Sequence, residues 1–170
     1  MLATYGQTRI LSLETKTPMA DITIRSFTPA DQAAVKALIL AGLVEHWGEL
    51  DLTLNPDLND IAQSYAGATF LVACEGDRIV GSGALVPRSA AVAEIVRMSV
   101  AADCRRRGIA SQILAHLCQA ARDGGFQKII LETTATWTDV IAFYRRFGFS
   151  ITGYVEGEFG TDVYFELRLA

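Results

Sequence analysis

The sequence predicts an α/β fold, a mixed sheet with flanking helices in one domain. Short β-branched or alternating segments recur along the chain, segments with apolar residues at helical spacing lie between them, and Gly or Pro clusters punctuate both. With 170 residues, 51% hydrophobic, and a single set of such elements, residues 21–170 are expected to form one globular domain with a substantial core. Residues 1–20 contain Arg9 and Lys16, several hydroxyls and no apolar core of a secretory signal. They are expected to be a flexible extension ahead of the first strand, which leaves a short targeting segment open.

Ile22 to Phe27 alternates as a strand does. Thr28-Pro29-Ala30-Asp31 then supplies a capping residue, a proline at the first helical position and an acid in the first turn, so a helix is predicted to about Ala41. Gly42 to Asn55 is irregular, and Pro56 opens a second helical candidate ending near Tyr65. Thr69–Cys74 and Ile79–Val86 flank Glu75-Gly76-Asp77-Arg78 and read as a hairpin that Pro87 ends. Ala93 to Val100 is a further strand. After Gly108, apolar residues at Ile109, Ile113, Leu114, Leu117, Cys118 and Ala121 mark a helix that stops at Gly124-Gly125. Lys128–Thr134 is a strand, and Thr136 or Thr138 caps a helix whose apolar stripe is Val140, Phe143, Tyr144 and Phe147. Two strands around residues 149–152 and 163–169 complete the domain, joined by a connection from Glu156 to Asp162.

The most informative junction is Arg105-Arg106-Arg107-Gly108-Ile109-Ala110-Ser111, between a strand and a helix. The first turn of a helix carries N–H groups without intrahelical partners and the positive end of the macrodipole. Gly108 and Ala110 leave those groups unscreened, and adjacent guanidiniums pair with phosphate oxygens, so the junction reads as a pyrophosphate cradle. No Lys-Ser or Lys-Thr pair follows Gly108, which excludes a Walker A loop, and the spaced glycines of a dinucleotide fingerprint are missing.

The order of strand, Arg105-x-x-Gly108-x-Ala110, helix, strand and then Phe143-Tyr144-Arg145-Arg146-Phe147-Gly148-Phe149 resembles the GNAT superfamily of acyl-CoA-dependent N-acyltransferases, over nearly the whole chain after residue 20. The resemblance implies a mainly antiparallel sheet of six to seven strands with about four helices, and acetyl-CoA as cosubstrate. It also implies that residues 105–111 hold the pyrophosphate, largely through backbone N–H groups, while backbone groups of Met98 and Val100 meet the amide-bearing pantetheine arm as an added strand would.

Acyl transfer from a thioester to an amine poses two proton problems. At pH 7 a lysine-like ammonium costs about 4.6 kcal/mol to deprotonate, so a base helps, and the departing thiolate needs a donor. Glu94 is the candidate base. Simple alternation puts it on one face with Val96, Met98 and Val100, opposite Ile95, Arg97 and Ser99, and its segment resembles strands of family members whose glutamate deprotonates the amine. Glu132 competes for that role, and the structural alternative for Glu94 is a partner for Arg97. Tyr144 is the candidate acid, since the matching phenol in the family lies near the sulfur; the alternative is a core tyrosine on an apolar stripe. Where many relatives have asparagine, seven residues before that tyrosine, this chain has Trp137. The acceptor side in the family is lined by the region between the first two helices and by late loops, here Glu45, His46, Trp47, Glu49 and the 156–162 connection.

The resulting expectation is acetyl transfer to a primary amine by direct attack in a ternary complex, with a non-catalytic acyl-CoA-binding module and a nucleic-acid binder using Arg105–Arg107 as alternatives. A net charge of −4 disfavours nucleic acid and anionic membranes as partners, and no apolar run is long enough to span a bilayer. Three cysteines without a C-x-x-C pair suit reduced thiols in a cytoplasmic protein, and two separated histidines offer no metal cluster. The acceptor's identity and homodimer formation stay open.

Overall fold

The computed structural model describes residues 21–157 and 160–169; the expected extension at residues 1–20 lies outside them. Among the described residues, seven strands form one sheet in the order β1-β2-β3-β4-β5-β7-β6, with β4 and β5 parallel and every other neighbour antiparallel. The strands are β1 Ile22–Ser26, β2 Thr69–Glu75, β3 Arg78–Pro87, β4 Val92–Val100, β5 Lys128–Thr134, β6 Ser150–Gly157 and β7 Gly160–Arg168. The helices are α1 Gln32–Trp47, α2 Ile61–Ser64, α3 Ile109–Asp123 and α4 Thr138–Phe147. This is the mixed, mainly antiparallel architecture expected.

Helices cover both faces of the sheet. On one, α3 packs against β2, β3 and β4, with Ile113, Leu114 and Leu117 fully buried among Leu131, Phe165 and Ile129, and α4 adds Tyr144 to the same core. On the other, α1 lies over β3 and β4, and Val35, Ile39, Leu58 and Ile61 meet Phe70, Val72 and Ala84. The α3 packing is close: a Cβ at Gly83 would stand 2.6 Å from Met98 Sδ and 2.8 Å from Ile113 Cγ2, so only glycine fits there.

Several boundaries differ from the sequence reading. Helix α1 runs six residues beyond Ala41, through Gly42, and ends at Trp47. An interior glycine costs a helix only about 1 kcal/mol, which packing on β3 and β4 outweighs, and Gly48 at φ 78° closes the helix by donating to the Val44 carbonyl. The candidate helix from Pro56 to Tyr65 breaks in two. A 3₁₀ turn, Pro56–Asn59, yields at Asp60, whose side chain accepts the Gln63 N–H and starts α2 afresh. Neither Thr136 nor Thr138 caps α4, whose capping position is Trp137. The supposed connection from Glu156 to Asp162 is mostly hairpin arms, with Glu156–Gly157 in β6 and Gly160–Asp162 in β7. The predicted start at Thr28-Pro29 is a 3₁₀ turn, Pro29–Asp31, and α1 begins only at Gln32; the Asp31 carboxylate ties the turn down, taking the Thr28 N–H at 2.7 Å and both Nη groups of Arg25 at 2.7 and 2.8 Å.

Candidate active site

Strands β4 and β5 pair only at Val92–Lys128, Ala93–Ile129 and Glu94–Ile130. From there β5 continues alongside β7 to Thr134 and β4 alongside β3 to Val100, so a wedge opens between them. On the wedge side, β4 beyond Glu94 has no strand partner among the described residues. Such an edge accepts an extended, amide-bearing chain by backbone pairing.

A bulge shapes this edge. Ser82 faces Ser99 and Ala84 faces Val96, so two residues of β4, Arg97 and Met98, stand opposite the single Gly83 of β3. Arg97 sits at φ 55°, in a left-handed conformation that costs a non-glycine residue on the order of 1–3 kcal/mol. The extra residue inverts the alternation, which corrects the face assignment made from sequence. Ile95, Met98 and Val100 face the α3 core and Val96 the α1 core, so Glu94 does not share a face with Met98 and Val100.

The arginine loop leads into α3 as expected, with Arg106 at φ 60° and Gly108 at φ 78°. The first intrahelical bond runs from the Gln112 N–H to the Gly108 carbonyl, and among the described residues no protein acceptor takes the N–H groups of residues 106–111. Such donors, with the helix dipole behind them, are the arrangement that suits an anion. The three side chains diverge. Arg105 donates both Nη groups to Glu45 at 2.7 and 2.6 Å and its Nε to the Val100 carbonyl at 3.3 Å. Arg107 turns back to Glu75 at 2.6 Å and to the Cys104 sulfur at 3.5 Å, so its guanidinium braces the β2–β3 hairpin instead of facing a ligand. Arg106 is exposed and makes no ion pair among the described residues. Ile109 is buried at 1% exposure, which leaves Ala110 and Ser111 to line the helix start.

Glu94 receives the Arg88 Nε, not Arg97, and its side chain is 17% exposed. Because Glu94 pairs with Ile130, it stands on the face that also carries Glu132 and, across the β5–β7 ladder, Tyr164. The pKa of the Tyr164 hydroxyl is raised above its ordinary value, chiefly by the Glu132 carboxylate beside it, with burial and the charges of Asp162 and Glu94 adding. Sequence reasoning passed over Tyr164; its alternation with Phe165 put it on the outward face, but nothing local set it beside two carboxylates. Tyr144 lies on the opposite face, 6% exposed, with the rings of Phe149 and Phe165 at 5.7 and 5.8 Å. Burial alone pushes its hydroxyl pKa up, and that hydroxyl has no hydrogen-bond partner among the described residues. The two carboxylates and the phenol thus stand on opposite faces of the sheet.

The last turn of α1 reaches both sides of this wedge. Glu45 holds Arg105, while His46 Nε2 shares a hydrogen bond of 3.0 Å with Thr136 Oγ1 and lies edge-on to Trp47 and Trp137, with centroids 4.7 and 4.5 Å away. Trp137 therefore packs against the helix end that borders the cleft. An open groove of about 320 Å³ lies between α1 and the end of β4, with Glu45 and Arg105 at its rim. Cys74, Cys104 and Cys118 are free and buried, and His116 is exposed, bonded only to the Gln112 carbonyl. Among the described residues no group of His, Cys, Asp and Glu could hold a metal ion, and no helix is long and apolar enough to cross a membrane.

The family model described as the acetyltransferase (GNAT) family matches residues 33–149, a stretch that holds the wedge, the arginine loop and Tyr144. The chain belongs to the GNAT acetyltransferase family. N-acetyltransferase 8 of Homo sapiens is 34% identical over 116 residues, covering 63% of this chain and 51% of that protein. An uncharacterised N-acetyltransferase of Escherichia coli, YjgM, is 28% identical over 143 residues, covering 79% of this chain and 85% of its own. The chain spans about half the length of the mammalian relatives it matches. Among solved structures, a GNAT-family acetyltransferase of Staphylococcus aureus superposes with a TM-score of 0.77 at 18% identity, over 88% of this chain and 100% of that one. The YncA protein of Salmonella typhimurium, solved with its cofactor acetyl-CoA, superposes with a TM-score of 0.73 at 20% identity, over 88% and 95% of the two chains. At these identities the structures establish the shared fold.

Proposed function

We propose that the chain transfers an acetyl group from acetyl-CoA to a primary amine by direct attack within a ternary complex. The observation that carries this reading is the parting of β4 from β5 after Glu94, which leaves a free backbone edge leading to the unpartnered N–H groups of residues 106–111. A ligand that joins a pyrophosphate to an arm of amides matches that sequence of donors. In this reading the backbone N–H groups of Arg106 to Ser111 and the Arg106 guanidinium hold the phosphates, and Arg105 joins them when Glu45 releases it. Backbone groups of Met98 and Val100 align the arm.

The two sides of the sheet divide the proton work. Glu94 takes the proton of the incoming ammonium, with Glu132 and Tyr164 beside it on the same face, so that the amine attacks as a free base. The acyl carbon lies in the wedge, where the amine's nitrogen bonds to it and the carbon–sulfur bond breaks. Tyr144, kept protonated by its burial, gives its proton to the departing sulfur, and the proton that the nitrogen sheds on becoming an amide restores the phenol, so that a neutral thiol and amide leave. Holding both reactants in one gap supplies the remaining advantage by proximity. The test is a panel of primary amines with acetyl-CoA, scored for coenzyme A release and for the acetylated product by mass. Release with at least one amine, and product heavier by one acetyl group, is expected; acetyl-CoA binding without turnover on any amine would leave only a non-catalytic binding module.

A further inference from the structure

The acyl-transfer reading gives no role to Arg97, yet it is the most heavily tethered side chain near the cleft. Its Nε donates to Asp57 Oδ2 at 2.9 Å and to the Tyr65 hydroxyl at 3.2 Å, its Nη1 to Asn55 Oδ1 at 2.9 Å and its Nη2 to Asp57 Oδ1 at 2.5 Å. Tyr65 in turn donates to Asp57 Oδ2 at 2.6 Å. The main chain is held as well, because the fully buried Ser82 donates its hydroxyl to the Arg97 carbonyl at 2.9 Å. The Arg97 and Asp57 side chains are only 21% and 26% exposed, so this is a partly desolvated bidentate pair and not a solvated surface contact.

These contacts fall on the one residue of β4 whose backbone is left-handed, at the bulge that inverts the strand just after it leaves β5. A non-glycine residue keeps such a conformation only where its surroundings over-determine it. Here the side-chain fork pulls toward residues 55–65 on the α1 face, Ser82 fixes the carbonyl from within the sheet, and Gly83 admits Met98 opposite the bulge.

We propose that Arg97 is a positioning residue: its fork to Asp57, Asn55 and Tyr65 locks the β4 bulge, and so the segment 55–65 sets the direction in which the free edge of β4 presents its backbone groups to the thioester. This rests on the acyl-transfer reading. Arg97 touches neither reactant; it acts through the backbone of Met98 and its neighbours. The lock predicts an effect on turnover much larger than that on cofactor affinity, because the phosphate donors at residues 106–111 lie outside the bulge and keep their hold when it loosens.

Arg97→Gly separates strain from tethering, since glycine adopts φ 55° freely while the fork is lost. Expected are a kcat at least tenfold below wild type with the KM for acetyl-CoA within threefold, a melting temperature within about 5 °C, and faster amide exchange at residues 97–99. Arg97→Lys should not rescue, because one ammonium cannot span Asp57 and Asn55 as a planar fork does. A kcat within twofold of wild type in Arg97→Gly, rescue by lysine, or lost turnover with unchanged exchange at residues 97–99 overturns the proposal. If the arginine variants do not fold, Asp57→Asn is read by the same kcat and exchange criteria. A wild-type chain inactive on every amine would instead refute the acyl-transfer reading, and with wild-type turnover in hand the Arg97 result stands or falls by itself.

Discussion

The β2–β3–β4 side of the sheet and the β4–β5 seam are built from the same kinds of residues and do opposite things. On the first, β2 pairs β3 from Thr69 to Glu75, the inward side chains of both strands are buried, and Gly83 lets Met98 and α3 press directly on the backbone. On the second, pairing stops after three residue pairs, and among the described residues no strand covers the edge beyond them and no acceptor takes the N–H groups of residues 106–111. Backbone groups satisfied within the fold hold it together, and those left unsatisfied are available to a ligand. Stability and chemistry should therefore respond to different substitutions on either side of β4.

The largest separation is expected from Glu94→Gln. Removal of a general base costs 10²–10⁴ in rate, so kcat/KM should fall about 100-fold, worth about 2.7 kcal/mol. The melting temperature should hardly move, because the partner Arg88 is half exposed. Glu132→Gln should lose less than tenfold; the reverse ranking in steady-state kinetics would transfer the base to Glu132. On the paired side, Gly83→Ala should do the opposite. Its Cβ would enter space held by Met98, Ile113 and Leu117, and such overpacking costs about 2 kcal/mol, read as a lower denaturation midpoint with acetyl-CoA affinity retained by the folded fraction.

Acid should also strike the paired side. Asp31 is held at a pKa of about 2, below its ordinary 3.8, first by the Arg25 side chain and then by hydrogen bonds from Thr28. A depressed folded-state pKa contributes stability in full above the unfolded value and loses it as the pH falls through the folded one. Wild type should therefore lose stability between about pH 4 and 2 more steeply than Asp31→Asn, which should already be weaker at pH 7; parallel denaturation profiles would remove Asp31 from the acid limb. The smallest effect is expected at the seam's rim. Glu45→Gln frees Arg105 from an exposed pair worth at most about 1 kcal/mol, so acetyl-CoA should bind two- to fivefold tighter by calorimetry, with little change in stability. Weaker binding would mean that Arg105 works while still paired.

The same contrast explains what the sequence could reveal. The arginine loop was legible because its chemistry is local: a glycine, small residues and a helix start lie within seven positions. The strands of the paired side were legible from short apolar, β-branched runs, two of them flanking the turn Glu75-Gly76-Asp77-Arg78. The bulge was not, because Arg97 takes its left-handed conformation among partners 15 to 42 residues away, and no local pattern announces an inverted face. Counting alternate residues across it assigned Met98 and Val100 to the side of Glu94. The end of α1 was misplaced for a related reason, since Gly42 reads as a stop until the sheet beneath it is known. Tyr164 and Glu132 come together through a ladder between β5 and β7, a relation of register that composition does not contain.

One turn of α1 has a mechanical consequence. Glu45 and His46 are adjacent on a rigid helix, and they grip Arg105 on one bank of the wedge and Thr136 with Trp137 on the other. The gap is thereby spanned as by the jaws of a caliper: a guest wider than the present setting must loosen one jaw, and the jaw that yields decides whether the phosphate end or the acceptor end opens first.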